Sequence, residues 1–258
     1  MEKVTRLIVV KENWNTIPLL HIYKEEMTGD TPVVIFLHGF LSAKEHNLHY
    51  AYQLVEKGVR VLLPDAHLHG ERAMPMSEIQ MNLSFWKIVL KSVEEVQSLR
   101  AELENRNLLT TGKIGIAGTS MGGIVTSGCL AIYNWIQAAG ICMGTTSFSK
   151  LAQYQLEEFA SHGIDFPMNE QQIQEMFSLF SKYDLERNVA VFSRCPIIFW
   201  HGEKDQVVPY KMTRPFYEQL EASEQQLKST YISEAKAGHA VSRNGVIAVT
   251  SWLAQHLA

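Results

Sequence analysis

The chain predicts an α/β fold, a mostly parallel eight-stranded sheet with helices on both faces. Three observations lead there. Short β-branched runs such as Val33–Leu37 have the profile of strands buried on both faces. Between them lie segments whose apolar residues recur with helical period. Strands alternating with helices imply right-handed crossovers between parallel neighbours. The 258 residues, 46% hydrophobic and 10% aromatic, are enough to bury a sizeable core.

The elements follow in order. Residues 5–10 and 17–23 read as strands of an antiparallel hairpin joined through Glu12-Asn13-Trp14-Asn15. Residues 33–37 form a buried strand that ends at His38-Gly39. Residues 46–57 look helical and stop at Gly58, a suitable C-cap. Residues 59–63 are a strand stopped by Pro64-Asp65. Residues 83–103 carry Leu83, Trp86, Val89, Leu90, Val93, Val96 and Leu99 as one stripe of a long helix. Strands are predicted at 113–117, 138–143, 196–200 and 229–233, with helices at 124–133 and 246–257.

One interval breaks the rhythm. About fifty residues separate the strands at 138–143 and 196–200, more than a crossover needs. Residues 150–183, rich in Gln, Glu, Phe and Met, predict two or three short helices. The expectation is a single domain spanning 1–258, with a helical cap inserted at about 149–186 over the carboxyl ends of the strands.

Charge and composition narrow the function classes. A formal charge of −4 and a pI near 6.2 leave no basic footprint for nucleic acid. No apolar run is long enough for a membrane span, and the first residues lack a signal-peptide core. Cys129, Cys142 and Cys195 are odd in number and lie in apolar surroundings, so no disulfide framework is expected and a reducing cytoplasm is the default. His67 with His69, and His46 with His49, lack companions for a metal site. No phosphate-cradling glycine motif occurs. No metal, cofactor, nucleic acid or membrane partner is expected, and the oligomeric state is open.

The chemistry concentrates at Gly118-Thr119-Ser120-Met121-Gly122. This G-x-S-x-G follows a strand and opens a helix, the context in which a serine sits on a sharp turn with its hydroxyl above the sheet. Larger side chains at the glycines would collide with the neighbouring strand and helix. Such a serine needs a base, and the base an orienting acid. On such an elbow the partners follow in the order serine, acid, histidine. His239, in Lys236-Ala237-Gly238-His239-Ala240 between the last strand and the last helix, is the base. His201 precedes the acid, and His256 lies at the end of the closing helix. Asp205, just beyond the strand at 196–200, is the acid, with Glu203 and Asp184 as alternatives. The oxyanion needs two N–H donors: Met121 supplies one at a helix N-terminus and Phe40, after the strand at 33–37, the other. His38 shapes that loop and does no chemistry.

These residues resemble those of an α/β-hydrolase, and within it the small esterases related to dienelactone hydrolase and the catalytic domain of prolyl oligopeptidase. The resemblance rests on His38-Gly39-Phe40, Pro64-Asp65 with His69-Gly70-Glu71-Arg72, Gly118 to Gly123, His201-Gly202-Glu203-Lys204-Asp205 with Val208-Pro209, and Gly238-His239. Ser120 stands where dienelactone hydrolases carry cysteine. The resemblance implies a serine hydrolase acting on a small-molecule carboxylic ester through an acyl-enzyme. Thioesters or small amides are the alternative for the same triad, and a non-catalytic hydrolase-fold binding protein is the alternative of another class. Met74, Met76 and Met81, with Phe148, Phe159, Phe166 and Met168, predict an adaptable apolar substrate site, and a small one favours short acyl chains.

Overall fold

The computed structural model describes residues 5–161, 163, 167–223 and 227–258. Eight strands form one sheet in the order β1-β2-β4-β3-β5-β6-β7-β8. They are β1 (Leu7–Trp14), β2 (Ile17–Lys24), β3 (Val33–Leu37), β4 (Arg60–Pro64), β5 (Ile114–Thr119), β6 (Ala138–Cys142), β7 (Ile197–Gly202) and β8 (Ser229–Glu234). β1–β2 and β2–β4 pair antiparallel and every other neighbouring pair runs parallel.

Helices cover both faces. α1 (Leu48–Glu56) follows β3, and α2 (Glu78–Leu83) and α3 (Phe85–Asn105) follow β4. α4 (Met121–Ile132) follows β5. Between β6 and β7 come α5 (Phe148–Ser161), α6 (Glu170–Phe180) and the short α7 (Val191–Arg194), and α8 (Arg214–Ala222) and α9 (Arg243–Leu257) complete the chain. The two-residue period of β3 shows how the layers divide. Val33, Ile35 and Leu37 join the core beneath α3 and α4. Val34 and Phe36 join the core beneath α1 and α9. No helix among the described residues is long and apolar enough to cross a membrane.

Two element predictions need correction. The hairpin turn is not at residues 12–15. β1 runs to Trp14, and the turn is Asn15-Thr16, with φ of 49° and 68°, the left-handed pair a two-residue hairpin favours. Lys11, Glu12 and Asn13 read as loop because β1 is an edge strand with its alternate residues in solvent. The helix predicted at 83–103 is α3, which begins only at Phe85; Leu83 ends a separate helix, α2. Ser77 and Gln80 form a reciprocal capping box that starts α2, and Ser84 joins α2 to α3, its Oγ donating to Gln80 O at 2.8 Å. The stripe from Val89 to Leu99 lies on α3, fully buried at Val89, Val93, Val96 and Leu99.

Candidate active site

The elbow at Ser120 is strained as its sequence requires. Ser120 has φ 53° and ψ −118°, a region costly for a residue with a Cβ. Its N–H donates to Cys142 O at 2.8 Å, which ties the turn to β6. The glycines make room for the neighbouring helix and strand, as the sequence predicts. A Cβ on Gly118 would run into Gly122 itself, and one on Gly122 into the Leu37 carbonyl at the end of β3. The two glycines therefore let the elbow close on itself and on β3.

The structure brings Ser120, His239 and Asp205 together. His239 Nε2 lies 2.8 Å from Ser120 Oγ, and His239 Nδ1 lies 2.7 Å from Asp205 Oδ2. Asp205 is buried, and its Oδ1 accepts the N–H groups of Val207 and Val208 at 2.9 and 3.0 Å. Burial alone would raise its carboxyl pKa. Hydrogen bonds from His201 and His239, the His239 charge and the Val208 N–H outweigh burial and hold it well below the carboxylate range. The other acid candidates are occupied elsewhere. Glu203 is exposed and accepts from Ser233 Oγ at 2.9 Å. Asp184 accepts from Ser147 Oγ, Ser149 N and Ser149 Oγ at 2.7–3.1 Å, clasping the start of α5 to the chain that follows α6.

His201 has a role its sequence position hid. Its Nε2 lies 2.9 Å from Val208 O and 3.3 Å from Asp205 Oδ2. It meets the same Asp205 oxygen that His239 does. Nothing in the local sequence signals this, because the contact depends on the chain turning back at Val207-Val208. His256 is remote from this group, its Nδ1 2.9 Å from Trp252 O.

Phe40 and Met121 flank the serine. An added Cβ on Gly39 would lie 3.5 Å from Ser120 Cβ, so the loop after β3 runs directly past the hydroxyl. Two neutral histidines hold that loop. His38 Nδ1–H donates to Gly39 O at 2.8 Å, and its Nε2 accepts the Ala66 N–H at 3.0 Å. Burial pushes the His38 pKa down to about 4. His69 Nδ1–H donates to His67 O at 2.9 Å, and its Nε2 accepts the Leu41 N–H at 3.0 Å. Burial lowers its pKa as well. The rings lie 5.2 Å apart.

Beneath them Asp65 accepts from Lys44 N, Lys44 Nζ and Glu71 N at 2.6–3.0 Å. Burial would lower the Lys44 ammonium, but its bonds to Asp65, Glu71 and Glu45 keep it above the usual lysine range. The Asp65 and His69-Gly70-Glu71-Arg72 motif thus stitches the loop after β4 to the loop after β3. His69 in this role was not anticipated. Both ring nitrogens of His69 are engaged in these bonds, and no group of three or more His, Cys, Asp or Glu among the described residues could hold a metal ion.

Above Ser120 lies a cavity of about 200 Å³ lined by Phe40, Phe85, Ile124, Leu151, Gln155 and Phe159, among others. The expected apolar residues divide. Phe159 lines this cavity, Met168 and Met176 line a neighbouring groove, and Phe148 and Phe180 are buried in the core. Phe177 packs partly buried against that core, and Phe166 lies outside the described residues. Met74, Met76 and Met81 do not line the cavity. Met74 is exposed, and α2 turns Met81 toward the core.

Comparison with known proteins places the chain. The prolyl oligopeptidase family matches residues 90–258. "Putative esterase YitV" of Bacillus subtilis (strain 168) is 43% identical over 244 residues, covering 93% of this chain and 96% of the relative. "Esterase YjfP" of Escherichia coli (strain K12) is 27% identical over 243 residues, with the same coverage. The crystal structure of TT1662 from Thermus thermophilus shares the fold, with a TM-score of 0.77 at 21% identity over 98% of both chains. A family match over most of the chain and a relative this similar across nearly all of it mean that the chain belongs to the prolyl oligopeptidase family of α/β-hydrolases and is a serine hydrolase.

Proposed function

We propose that the protein is a carboxylesterase that prefers short acyl chains and works through an acyl-enzyme on Ser120. The observation that carries this reading is the unbroken hydrogen-bonded path from Asp205 through His239 to Ser120 Oγ, at 2.7 and 2.8 Å. His239 Nε2 takes the serine proton as Oγ attacks the ester carbonyl. Asp205 holds the tautomer with Nδ1 protonated and stabilises the imidazolium that forms. The N–H groups of Phe40 and Met121 receive the oxyanion, with the α4 N-terminus adding its dipole. His239 then protonates the departing alcohol and activates a water that cleaves the acyl-enzyme. Ester and water go in; acid and alcohol come out, and Ser120 is restored.

The substrate size follows from the cavity. A cavity of roughly 150 Å³ takes a benzene molecule, so about 200 Å³ suits an acyl group of a few carbons. The segment 149–186 acts as a cap, since Leu151, Gln155 and Phe159 of α5 form the roof. The names of the two curated relatives favour ester over amide substrates. Three free, buried cysteines fit a reducing, cytoplasmic setting.

A fluorophosphonate probe followed by peptide mass spectrometry tests the nucleophile, and a p-nitrophenyl ester series tests the substrate. The adduct is expected on Ser120, with kcat/KM falling from butyrate to octanoate. An adduct on another serine would remove the mechanism. Equal rates on acetyl and palmitoyl esters would remove the short-chain preference and the cap with it.

A further inference from the structure

The cavity over Ser120 shares a wall with a smaller space, which in turn shares a wall with a larger one. Asn82, Gln155 and Phe159 line the cavity and also line the smaller space, a narrow neck. Leu83, Trp86 and Met176 line both that neck and an open groove of about 910 Å³ between α3 and α6. The neck holds about 10 Å³, at or below what one water needs, so no alkyl chain passes it. The groove beyond is floored by Leu83, Trp86, Leu90, Leu179 and Phe180, with Lys87, Lys91 and Glu94 toward solvent. A closed neck between a small reactive cavity and a large apolar groove limits what a substrate tail can reach.

One side-chain pair bridges the neck. Trp86 Nε1–H donates to Gln155 Oε1 at 2.8 Å. The bond ties the first turn of α3 to the middle of α5. Aromatic packing fixes the indole from behind, with Phe180 and Phe148 centroids 4.4 and 5.1 Å away. Trp86 belongs to the neck and the groove, and Gln155 to the neck and the cavity. The hydrogen bond therefore joins a wall residue of the groove to a wall residue of the cavity, with the small space between them.

We infer that the Trp86–Gln155 pair determines acyl-chain specificity, shutting the Ser120 cavity off from the outer groove and so setting the longest chain the enzyme accepts. The inference rests on the esterase reading above. A chain of two to four carbons fits the inner cavity with the pair closed. A longer chain is turned back at the neck, although apolar surface for it lies a few carbons farther on. Loss of the bond joins the two spaces. The added methylenes of a long acyl chain then find an apolar bed, and each is worth about tenfold or more in kcat/KM when well accommodated.

The test uses the full-length protein and p-nitrophenyl esters that differ only in the acyl chain. The readout is the ratio of kcat/KM on octanoate to kcat/KM on butyrate within each variant. Gln155→Ala is expected to raise the ratio at least about tenfold. Trp86→Phe keeps a ring against Phe180 but drops the donor; it should raise the ratio in the same direction, and it serves should Gln155→Ala fail to fold. Adding Leu83→Trp to Gln155→Ala, which refills the neck from the groove side, should bring the ratio back down. Native ratios in both single variants would overturn the inference, as would a rise that Leu83→Trp leaves in place. Failure of the esterase reading looks different: the native protein itself would turn over none of the esters and leave the fluorophosphonate unreacted.

Discussion

Around Ser120 the loops after β3, β4 and β7 hold their side chains by directed polar bonds, whereas α5 and α6 face it mainly with aromatic packing. On the loop side, Asp205 takes two backbone N–H groups and two histidines, and Asp65 takes three donors from two loops. His38 and His69 each use both ring nitrogens. On the helical side, Trp86, Phe148, Phe180 and Tyr183 form a stack with centroids 4.4–6.1 Å apart, and the Trp86–Gln155 bond and the Asp184 clasp supply its polar ties. Directed bonds fix atoms to tenths of an ångström, which a proton relay and an oxyanion hole require. Aromatic contacts are individually weak and are made over a wider range of separations. On the proposed reading, the division assigns chemistry to the loops and substrate range to the helices.

The sharpest way to break that division is at the acid. Asp205→Asn keeps the shape but favours the wrong imidazole tautomer, and kcat should fall by roughly 10⁴. Asp184→Asn, which loosens the clasp of the helical segment, should cost less than tenfold in kcat on butyrate. A crippled Asp184→Asn beside an active Asp205→Asn would move the acid to the β6 side of the sheet and overturn the assignment.

This contrast also marks what the sequence could reveal. The elbow was legible because its constraint is local: Gly118 and Gly122 must touch each other and β3. The meeting of His239 with Asp205 followed from chain order, since both lie in loops at the carboxyl edge of the sheet. The His201 contacts were not legible, because they need the chain to turn back after Asp205 and bring the Val208 carbonyl to the ring. Nor was the break at Ser84, where an apolar stripe continues across two helices and only the Ser77-Gln80 box betrays the new start. The turn at Asn15-Thr16 was masked by the polar residues of an edge strand.

A second test uses acid. His38 is neutral in the fold with a pKa of about 4, against 6.5 in an unfolded chain. The unfolded state therefore binds the extra proton, and stability present above pH 6.5 is lost as pH falls toward 4. Between pH 7 and pH 4.5 the loss from this one ring is about 2–3 kcal/mol. His69 and His21, both lowered by burial, act in the same direction. Urea denaturation of the native protein and His38→Asn at both pH values measures it. The variant should be less stable at pH 7 yet lose less on acidification. Equal acid losses would mean that the ring is not what makes the loop side sensitive to pH.

The smallest effect is expected on the helical side. Phe180 is fully buried against Trp86 and Phe148, and Phe180→Leu keeps an apolar residue there while thinning the stack. A cost of about 1 kcal/mol is expected, which in a domain of this size lowers Tm by about 2–4 °C. The relay at Ser120 shares no hydrogen bond with Phe180, so kcat on acetate should stay within about twofold of native. What should move is tolerance: a less firmly braced Trp86 lets the neck open more often, and octanoate should gain relative to butyrate by a few-fold, less than in Gln155→Ala. If Phe180→Leu instead lowered kcat on acetate strongly and left the octanoate ratio unchanged, aromatic packing would be positioning the chemistry. The separation between a polar side that reacts and an aromatic side that selects would then be wrong.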